Sequence, residues 1–351
     1  MFSRASMKFG VYDHIDKSGA PLSQFYEDRL RLAEAYDRLG YRALHTAEHH
    51  ATPLGMSPAA SVFHSAVAQR TKRLRFGPLV YTLNLYHPLR LYEEICQLDQ
   101  MGNGRLEMGV GRGISPFELR YFGADPELGQ PMYVEAFEVL MKAFANDTLD
   151  HQGRFYQFKE VPLELKPKQQ PHPPIWYGIG NPESIPWCVS HKVNLVANGA
   201  AEMVRKITDG YRASWAAAGH AEDDLPCMGS TRHMVLAPTD AEAMQIAKRG
   251  YLRWASSYLH LFKKNNAQPR FSMYTEDFEA AHKAGLIFAG TPDTVLRQVR
   301  QMEQETGLNY LLCRFAFGDL SFEESLRSTE LFAREVMPAM NEHSNDAVAL
   351  A

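Results

Sequence analysis

The feature that most constrains this 351-residue sequence is a regular alternation of short apolar segments with amphipathic helical segments. Eight segments have the character of strands, and they are MKFGVYD, YRALHTAEHH, LRFGPLVYTL, RLEMGVG, PPIWYGIG, VNLVAN, PCMGSTRHMVLA and YLLCRFAF. Parallel strands need helical crossovers and are buried on both faces, so this pattern indicates a parallel sheet. Eight such units in a chain of this length predict an α/β fold of the (β/α)8 TIM barrel type.

No interdomain linker is apparent, so we expect one barrel domain over residues 7–341. An N-terminal extension (1–6) and a flexible C-terminal tail (342–351) flank it. Two stretches are longer than barrel connections require. Residues 147–172, rich in Gln, Lys and Pro, are predicted to form an extended loop or insertion before the fifth strand. Residues 260–290 are predicted to form a lid-like region.

Composition and charge exclude several classes of protein. Hydrophobic residues make up 45% and charged residues 22%, as in an ordinary globular protein. The net charge of −4, with no dense run of Lys or Arg, argues against nucleic acid or an anionic membrane as a partner. No apolar run suits a signal peptide or a transmembrane helix. The four cysteines are far apart and form no C-x-x-C pair, so we expect reduced thiols and a cytoplasmic location.

The segment HTAEHH, residues 45–50, has three interpretations. Its first five residues match H-x-x-E-H, in which two histidines one helical turn apart bind zinc. On a strand, however, His45 and His49 would lie about 13 Å apart and could not share an ion. A polar cluster without chemistry is the second interpretation. In the third, Glu48, His49 and His50 end the second barrel strand, which is where barrels carry catalytic groups, and no metal is expected.

Two glycine-containing segments follow later strands. GVGRG lacks the full dinucleotide fingerprint, but it leaves Arg112 at the end of the fourth strand with a guanidinium suited to phosphate. In GIGNPES, Asn181 can cap a helix and Ser184 adds a hydroxyl, while Gly178 and Gly180 allow close approach of an anion. An ordinary capped helix is the alternative. Convergence of Arg112 with this turn favours a phosphorylated cofactor.

Beyond these motifs, the sequence resembles the bacterial luciferase-like flavin-dependent monooxygenases, in particular the α-subunit branch of alkanal monooxygenase. The resemblance covers nearly the whole chain and is strongest in AEHH, HPLRLYEEICQLDQMGNGRLEMGVGRG, GTP and REVMP. It implies a TIM barrel that uses O2 and reduced FMN, the latter supplied by a separate flavin reductase. It further implies oxidation of a small organic substrate, possibly an aldehyde, through a C4a-peroxyflavin, and a homodimeric assembly.

The resemblance also implies roles for individual residues around the flavin ring. His49 falls on the catalytic histidine of the family, with Glu48 before it and His50 after it, and we assign all three to catalysis. Leu79 and Val80 fall on a non-prolyl cis peptide at the end of the third strand, beneath the flavin ring.

For the FMN phosphate, the resemblance implies Arg112 and the turn after the fifth strand. This chain has Gly180-Asn181 where the α subunit has a Glu-Ser pair, whereas the hydroxyl position is kept as Ser184. A reactive cysteine of the family is replaced by Gly111, and a nearby aromatic residue is replaced by Ser115. These departures concern the luciferase substrate pocket and light emission more than the flavin site.

Two alternatives share the fold. One is an oxidoreductase that uses a deazaflavin, and retention of AEHH with the LDQM segment favours FMN over it. The other is a non-catalytic flavin-binding partner subunit, which would be expected to lose the histidine pair that this chain retains.

Overall fold

A computed structural model describes residues 7–269 and 273–341 and contains the predicted α/β barrel. Its strands are β1 (Lys8–Asp13), β2 (Ala43–Thr46), β3 (Arg75–Pro78), β4 (Tyr81–Thr82), β5 (Met108–Gly111), β6 (Thr148–Gln152), β7 (Gln157–Pro162), β8 (Ile175–Gly178), β9 (Asn194–Val196), β10 (Met228–Leu236), β11 (Ile287–Gly290) and β12 (Tyr310–Arg314). Its α-helices are α1 (Leu22–Leu39), α2 (Ala60–Arg70), α3 (Pro88–Met101), α4 (Pro116–Tyr121), α5 (Gly129–Ala145), α6 (Ile185–Ser190), α7 (Ala201–Ala217), α8 (Asp240–Lys264), α9 (Phe278–Lys283), α10 (Pro292–Thr306) and α11 (Phe322–Leu331). The predicted terminal segments 1–6 and 342–351 lie outside the described residues.

Parallel pairing in the order β3-β2-β1-β12-β10-β9-β8-β5-β4 carries the sheet around the barrel. β3 and β4 are two halves of one strand position, interrupted at Leu79 and Val80. A parallel bridge between Phe76 and Leu106 joins the ends of the sheet, and the Glu107 N–H donates to the Phe76 carbonyl over 2.8 Å. The chain therefore occupies eight strand positions, as the sequence predicts, and the carboxyl ends of all these strands lie at one mouth.

Large side chains fill the interior, among them Trp176, Tyr310 and Leu312. The charged group at the opposite end from the mouth is Glu107, whose side chain is 0% exposed. Its carboxylate pairs with Arg42 at 3.4 Å and with Arg75, and it accepts a hydrogen bond from the Trp176 indole. Because these partners come from different strand positions, one buried carboxylate ties the floor of the barrel together.

The buried face of α1 carries one charged residue, Arg29, because its guanidinium pairs with a carboxylate at the mouth of the barrel. Arg29 is 6% exposed, and its Nε lies 3.1 Å from a carboxylate oxygen of Asp13 at the end of β1. The Asp13 carboxylate also accepts from the Ile15 backbone N–H over 2.7 Å. Gly40 ends the helix in the left-handed conformation, with φ of 84°, where a glycine is favoured.

The predicted insertion before the fifth strand position is a β-hairpin rather than an extended loop. β6 and β7 pair antiparallel, and the burial of β6 alternates, with Leu149 and His151 facing inward. His151 Nε2 lies 3.3 Å from the Glu135 carboxylate on α5, which anchors the hairpin to the barrel. A period-two pattern of only five residues was hidden by the Gln- and Lys-rich composition around it.

The lid-like stretch near 260–290 holds more regular structure than the sequence indicates. α8 extends to Lys264, α9 covers Phe278–Lys283, and β11 adds a further parallel strand that pairs with β10. The segment IFAG is fully buried but only four residues long, so its strand character is easily missed. Residues 270–272 of this stretch lie outside the described residues.

Within the part of the chain that the structure describes, the helices are either too short or too polar to cross a bilayer.

A buried histidine makes the stability of the fold depend on pH. His64 on α2 is 0% exposed, its Nε2 lies 2.9 Å from the Thr46 hydroxyl, and burial lowers its pKa from 6.5 to about 3. The folded state therefore binds this proton less readily than the unfolded state. Its contribution to stability is complete above pH 6.5 and is lost as the pH falls toward 3.

We expect His64→Gln to reduce the acid sensitivity of the fold. Between pH 6.5 and pH 5, the native protein should lose about 2 kcal/mol more unfolding free energy than the variant. Denaturant unfolding at several pH values, followed by circular dichroism, measures the difference. His260→Gln, at an exposed position of α8, is the control and should behave like the native protein. Parallel pH profiles for native protein and His64→Gln would contradict the prediction.

Candidate active site

His49 lies at the mouth of the barrel, just after β2, and a carboxylate fixes the orientation of its ring. Its Nδ1 lies 3.1 Å from Oε1 of Glu118, whose side chain is 10% exposed. The same Oε1 accepts the His50 backbone N–H over 3.0 Å, so the acceptor is held in place. An acceptor at Nδ1 keeps the proton on that nitrogen and leaves Nε2 with a free lone pair.

The position of Glu118 follows from how α4 begins. Ser115 is the N-cap residue, its side chain accepts from the Glu118 N–H, and Pro116 takes the first helical position. Glu118 then occupies the first turn of a six-residue helix that packs over the end of β2. Ser115, where the resemblance implies an aromatic residue, therefore has a local structural role.

Glu48 and His50 point away from His49. The Glu48 carboxylate is fully buried, accepts from the Tyr86 hydroxyl over 2.7 Å and lies 3.1 Å from His50 Nε2. Burial and the Glu48 charge raise the pKa of Tyr86 above its ordinary value of 10, which favours the donating phenol. With Phe122, these residues line a cavity of about 390 Å³ between α2 and α3. Their predicted catalytic role stays a prediction, and the geometry favours positioning over direct chemistry.

A second histidine lies against His49 at the mouth. The rings of His14 and His49 stack at 5.9 Å with an interplanar angle of 18°. Burial, and then the charge of Arg314, hold the pKa of His14 well below its usual value of 6.5. The Trp254 indole N–H donates to His14 Nδ1 over 3.2 Å. His49 is therefore packed against a neutral ring and not against a cation.

Leu79 and Val80 meet in a cis peptide bond that is not prolyl, between β3 and β4. The Tyr12 hydroxyl donates to the Leu79 carbonyl over 3.4 Å, which connects this bond to the end of β1. On the neighbouring strand β5, a Cβ atom at Gly111 would collide with the Val80 side chain. Glycine at position 111, where the resemblance implies a cysteine, is thus explained by the presence of Val80.

The residues predicted to bind phosphate follow two neighbouring strands, because Arg112 comes directly after β5, Ser184 follows β8, and these strands pair. Burial raises the pKa of Tyr177 at this end of β8, and Ser184 and the Arg112 charge partly oppose that rise. The Arg112 carbonyl is held by the Asn84 side-chain amide over 2.9 Å. The phosphate-binding role of Arg112 and Ser184 stays a prediction.

The turn after β8 differs in detail from the expected helix start. Residues Pro182–Ser184 form a 3-10 turn before α6, and the Asn181 side chain caps this turn by accepting from the Glu183 N–H over 3.1 Å. The Glu183 carboxylate is held by the Asn181 amide over 2.7 Å. Gly178 and Gly180 are exposed, and no atom lies within 4 Å of a Cβ built at Gly178. The surface over the end of β8 is open.

Three residues of this site escaped the sequence prediction: Glu118, His14 and Tyr12. Glu118 is 69 residues from His49 and on a helix too short for a periodic signal. His14 and Tyr12 directly follow or end β1, so the rule that barrel chemistry lies at carboxyl ends of strands could have identified them.

The zinc interpretation of HTAEHH is not supported by the geometry. His45 is 0% exposed, and its Nε2 lies 3.2 Å from the Tyr310 hydroxyl inside the barrel, whereas His49 turns to Glu118. Across residues 7–269 and 273–341, no three His, Cys, Asp or Glu side chains come close enough together to hold a metal ion.

Removal of the Glu118 acceptor should allow the neutral His49 ring to adopt both tautomers. In protein labelled with 15N-histidine, we expect native His49 to carry its proton on Nδ1 at alkaline pH. Glu118→Ala should give a mixture of tautomers, while Glu118→Gln, whose amide oxygen still accepts, should keep the native one. Two-dimensional 15N–1H correlation spectra distinguish the nitrogens. An unchanged His49 signal in Glu118→Ala would show that Glu118 does not control this ring.

Comparison with known proteins identifies the family. The luciferase-like monooxygenase profile matches residues 7–310. An uncharacterized protein of Sinorhizobium fredii is 41% identical over 333 residues, covering 95% of this chain and 97% of that protein. The oxygenase component of a flavin-dependent trigonelline monooxygenase from Acinetobacter baylyi is 25% identical over 97% of each chain. The crystal structure of monooxygenase RslO1 from Streptomyces bottropensis superposes with a TM-score of 0.84 at 26% identity, covering 95% of this chain and 99% of that one. The chain therefore belongs to the luciferase-like monooxygenase family of flavin-dependent enzymes, as the sequence resemblance implied.

Proposed function

We propose that this protein is the oxygenase component of a two-component system that uses reduced FMN and O2 to oxidise a small organic substrate. An aldehyde is the substrate type that the resemblance suggests first. The observation that carries the proposal is His49, whose Nδ1 is held by Glu118 and whose ring lies at the barrel mouth. The trigonelline relative is named as an oxygenase component, which supports a separate reductase for this chain.

The residues present fit FMN. Gly178 leaves open space over the end of β8, and Arg112 and Ser184 follow the neighbouring strands β5 and β8. A permanently charged donor fork and a hydroxyl are suited to a phosphate group. Two strand positions away, Leu79 and Val80 present an apolar surface of the kind that supports a flat ring system. We assign Arg112, Gly178, Gly180, Asn181 and Ser184 to the phosphate end and Leu79-Val80 to the ring end.

Reduced FMN, when bound, supplies the electrons that activate O2 for transfer to the substrate. The protein supplies position, proton control and exclusion of water. The free Nε2 of His49 can accept a proton from the reacting group and return it, because Glu118 stabilises the Nδ1–H throughout. Trp254 and Tyr274 pack against each other at 5.2 Å over the same end of the barrel, and both are buried. They exclude water from this side of the site.

We also propose a homodimer in a cytoplasmic setting. The exposed side chains of Val62 and Phe122 line the cavity of Glu48 and His50, and Tyr121 is exposed next to Phe122 in the chain. A second copy covering this face would bury them, and a solution mass equal to one 39.7 kDa chain would contradict the dimer. The four free, buried cysteines and the use of a reduced flavin are typical of a reducing compartment.

We predict that the protein binds FMN mainly through the phosphate group. We expect the protein to bind FMN at least about tenfold more tightly than riboflavin, and Arg112→Met to remove most of this preference. Fluorescence quenching of each flavin measures the affinity. Arg120→Met, at an exposed position of α4, is the matched control and should bind like the native protein. Binding of a deazaflavin cofactor in place of FMN would instead support the alternative oxidoreductase.

His49→Ala should separate flavin binding from oxygen transfer. We expect FMN affinity to change less than about twofold, because the imidazole does not reach the phosphate end. Product formed per reduced FMN, measured over a panel of aldehydes, should fall by about 100-fold or more, with hydrogen peroxide in its place. His260→Gln is the control. Undiminished product yield in His49→Ala would remove the role assigned to this histidine, and native protein that binds FMN without oxygenating any substrate would support the non-catalytic alternative.

A further inference from the structure

Arg314, the last residue of β12, is a buried arginine without an ion-pair partner. It is 4% exposed, and no carboxylate of the described residues forms an ion pair with it. Its Nη2 donates to the Thr231 hydroxyl over 2.7 Å, and its Nε makes no hydrogen bond. Asp13 is near enough to feel the Arg314 charge, but Arg29 already occupies that carboxylate.

Most of the other inward-facing arginines have a carboxylate partner. Arg29 pairs with Asp13, while Arg42 and Arg75 share Glu107. Arg232 also lacks a carboxylate partner among the described residues, but its guanidinium donates two hydrogen bonds within its own strand. Buried charges are normally paired in this way, because a charge removed from water without a counterion is strongly destabilising. A position that keeps such a charge unpaired suggests that the counterion comes from a ligand.

Three aromatic rings enclose the guanidinium without neutralising it. The Arg314 Cζ atom lies 5.0 Å from the ring of Tyr12, 5.3 Å from Trp254 and 5.6 Å from Tyr274. Ring faces attract a cation but leave its N–H groups without acceptors. The guanidinium is therefore held rigidly and kept from water, with donors left for a planar oxyanion.

The same rings connect Arg314 to the proposed reaction centre. Trp254 and Tyr12 pack on His14 at 5.4 and 5.0 Å, and His14 stacks on His49. Tyr12 also donates to the Leu79 carbonyl. A ligand that contacts Arg314 would thus extend toward His49 and the Leu79-Val80 surface, where the proposed function places the reaction.

We propose that Arg314 is a substrate-binding residue and that the substrate of this enzyme carries a carboxylate group. The inference rests on the proposed function for the identity of the reaction, but the anion site itself does not require a flavin. The carboxylate would accept from the free Nε–H and a remaining Nη–H of Arg314, and this would supply the missing counterion. The carboxylate serves to bind and orient the substrate and is not itself oxidised.

The test uses benzoate, with the uncharged isostere benzamide for comparison. Binding to the full-length protein is measured by calorimetry and by Trp254 fluorescence, with and without FMN. We expect native protein to prefer benzoate over benzamide by at least about tenfold, and Arg314→Met to lose on the order of 10- to 100-fold in benzoate affinity only. Arg232→Met is the matched control and should keep the native affinity for benzoate. Arg232 is also 4% exposed, but its donors are used within its own strand and it lines a cavity that Arg314 does not line.

Thermal unfolding separates a binding role from a structural one. Arg314→Met should melt at the native temperature or above it, since removal of an unpaired buried charge does not strand a partner. If Arg314→Met fails to fold, Arg314→Lys tests the binding role instead. Lysine keeps the charge but lacks the two parallel donors of a guanidinium. The preference of this variant for benzoate over benzamide should therefore be smaller than that of the native protein.

Several results would overturn the inference. They are equal affinity for benzoate and benzamide, unchanged benzoate affinity in Arg314→Met, an unchanged preference in Arg314→Lys, or a loss of reduced FMN binding in Arg314→Met with benzoate binding intact. Failure of the proposed function is distinguishable. If the protein has no affinity for FMN but binds benzoate in a way that depends on Arg314, the anion site is supported and the proposed FMN-dependent function is contradicted.

Discussion

The buried carboxylate of Glu107 is the interaction on which the geometry of this barrel depends. It joins Arg42, Arg75 and Trp176 at the closed end, where the backbone of the same residue also completes the ring of strands through Phe76. Because an unpaired charge at this depth would be strongly destabilising, the strands are held in one register around it. The opposite, carboxyl end is then free to carry residues chosen for chemistry, and this division between a floor for stability and a mouth for function is general for such barrels.

In the segment HTAEHH, strand geometry gives neighbouring residues different surroundings and different partners. Successive side chains of an extended segment point to opposite sides. His45 and His49 therefore face the interior, one packed in the core and one at the mouth, while Thr46, Glu48 and His50 face the surrounding helices. Two neighbouring histidines consequently have different partners, Glu118 for His49 and Glu48 for His50. The extended conformation also places His45 and His49 far apart along the strand, and this is the physical reason that the zinc pattern has no zinc geometry.

The sequence predicted those parts of the molecule that repeat and missed those that depend on a single distant contact. The apolar strands and the helical crossovers are local signals, and both are confirmed by the structure. His49 and Arg112 followed from their positions at strand ends. Glu118 could not be predicted, since nothing near it in the chain indicates that a six-residue helix brings it to β2. The β6–β7 hairpin and β11 were missed for a related reason, because strands of four to six residues carry too few periods to stand out from polar surroundings.

The distribution of charge at the mouth connects the proposed phosphate site at Arg112 with the proposed substrate site at Arg314. The carboxylates there are committed to protein groups: Glu118 to His49, Glu48 to His50 and Asp13 to Arg29. Two arginines are not committed in this way, since Arg112 at one side and Arg314 at the other have no ion-pair partner among the described residues. A mouth of this kind favours anions. Burial lowers the pKa of His14, and the Arg314 charge adds to that lowering. An anionic substrate bound at Arg314 would supply the counterion that this side of the mouth lacks, and it would do so beside the stacked rings of His14 and His49.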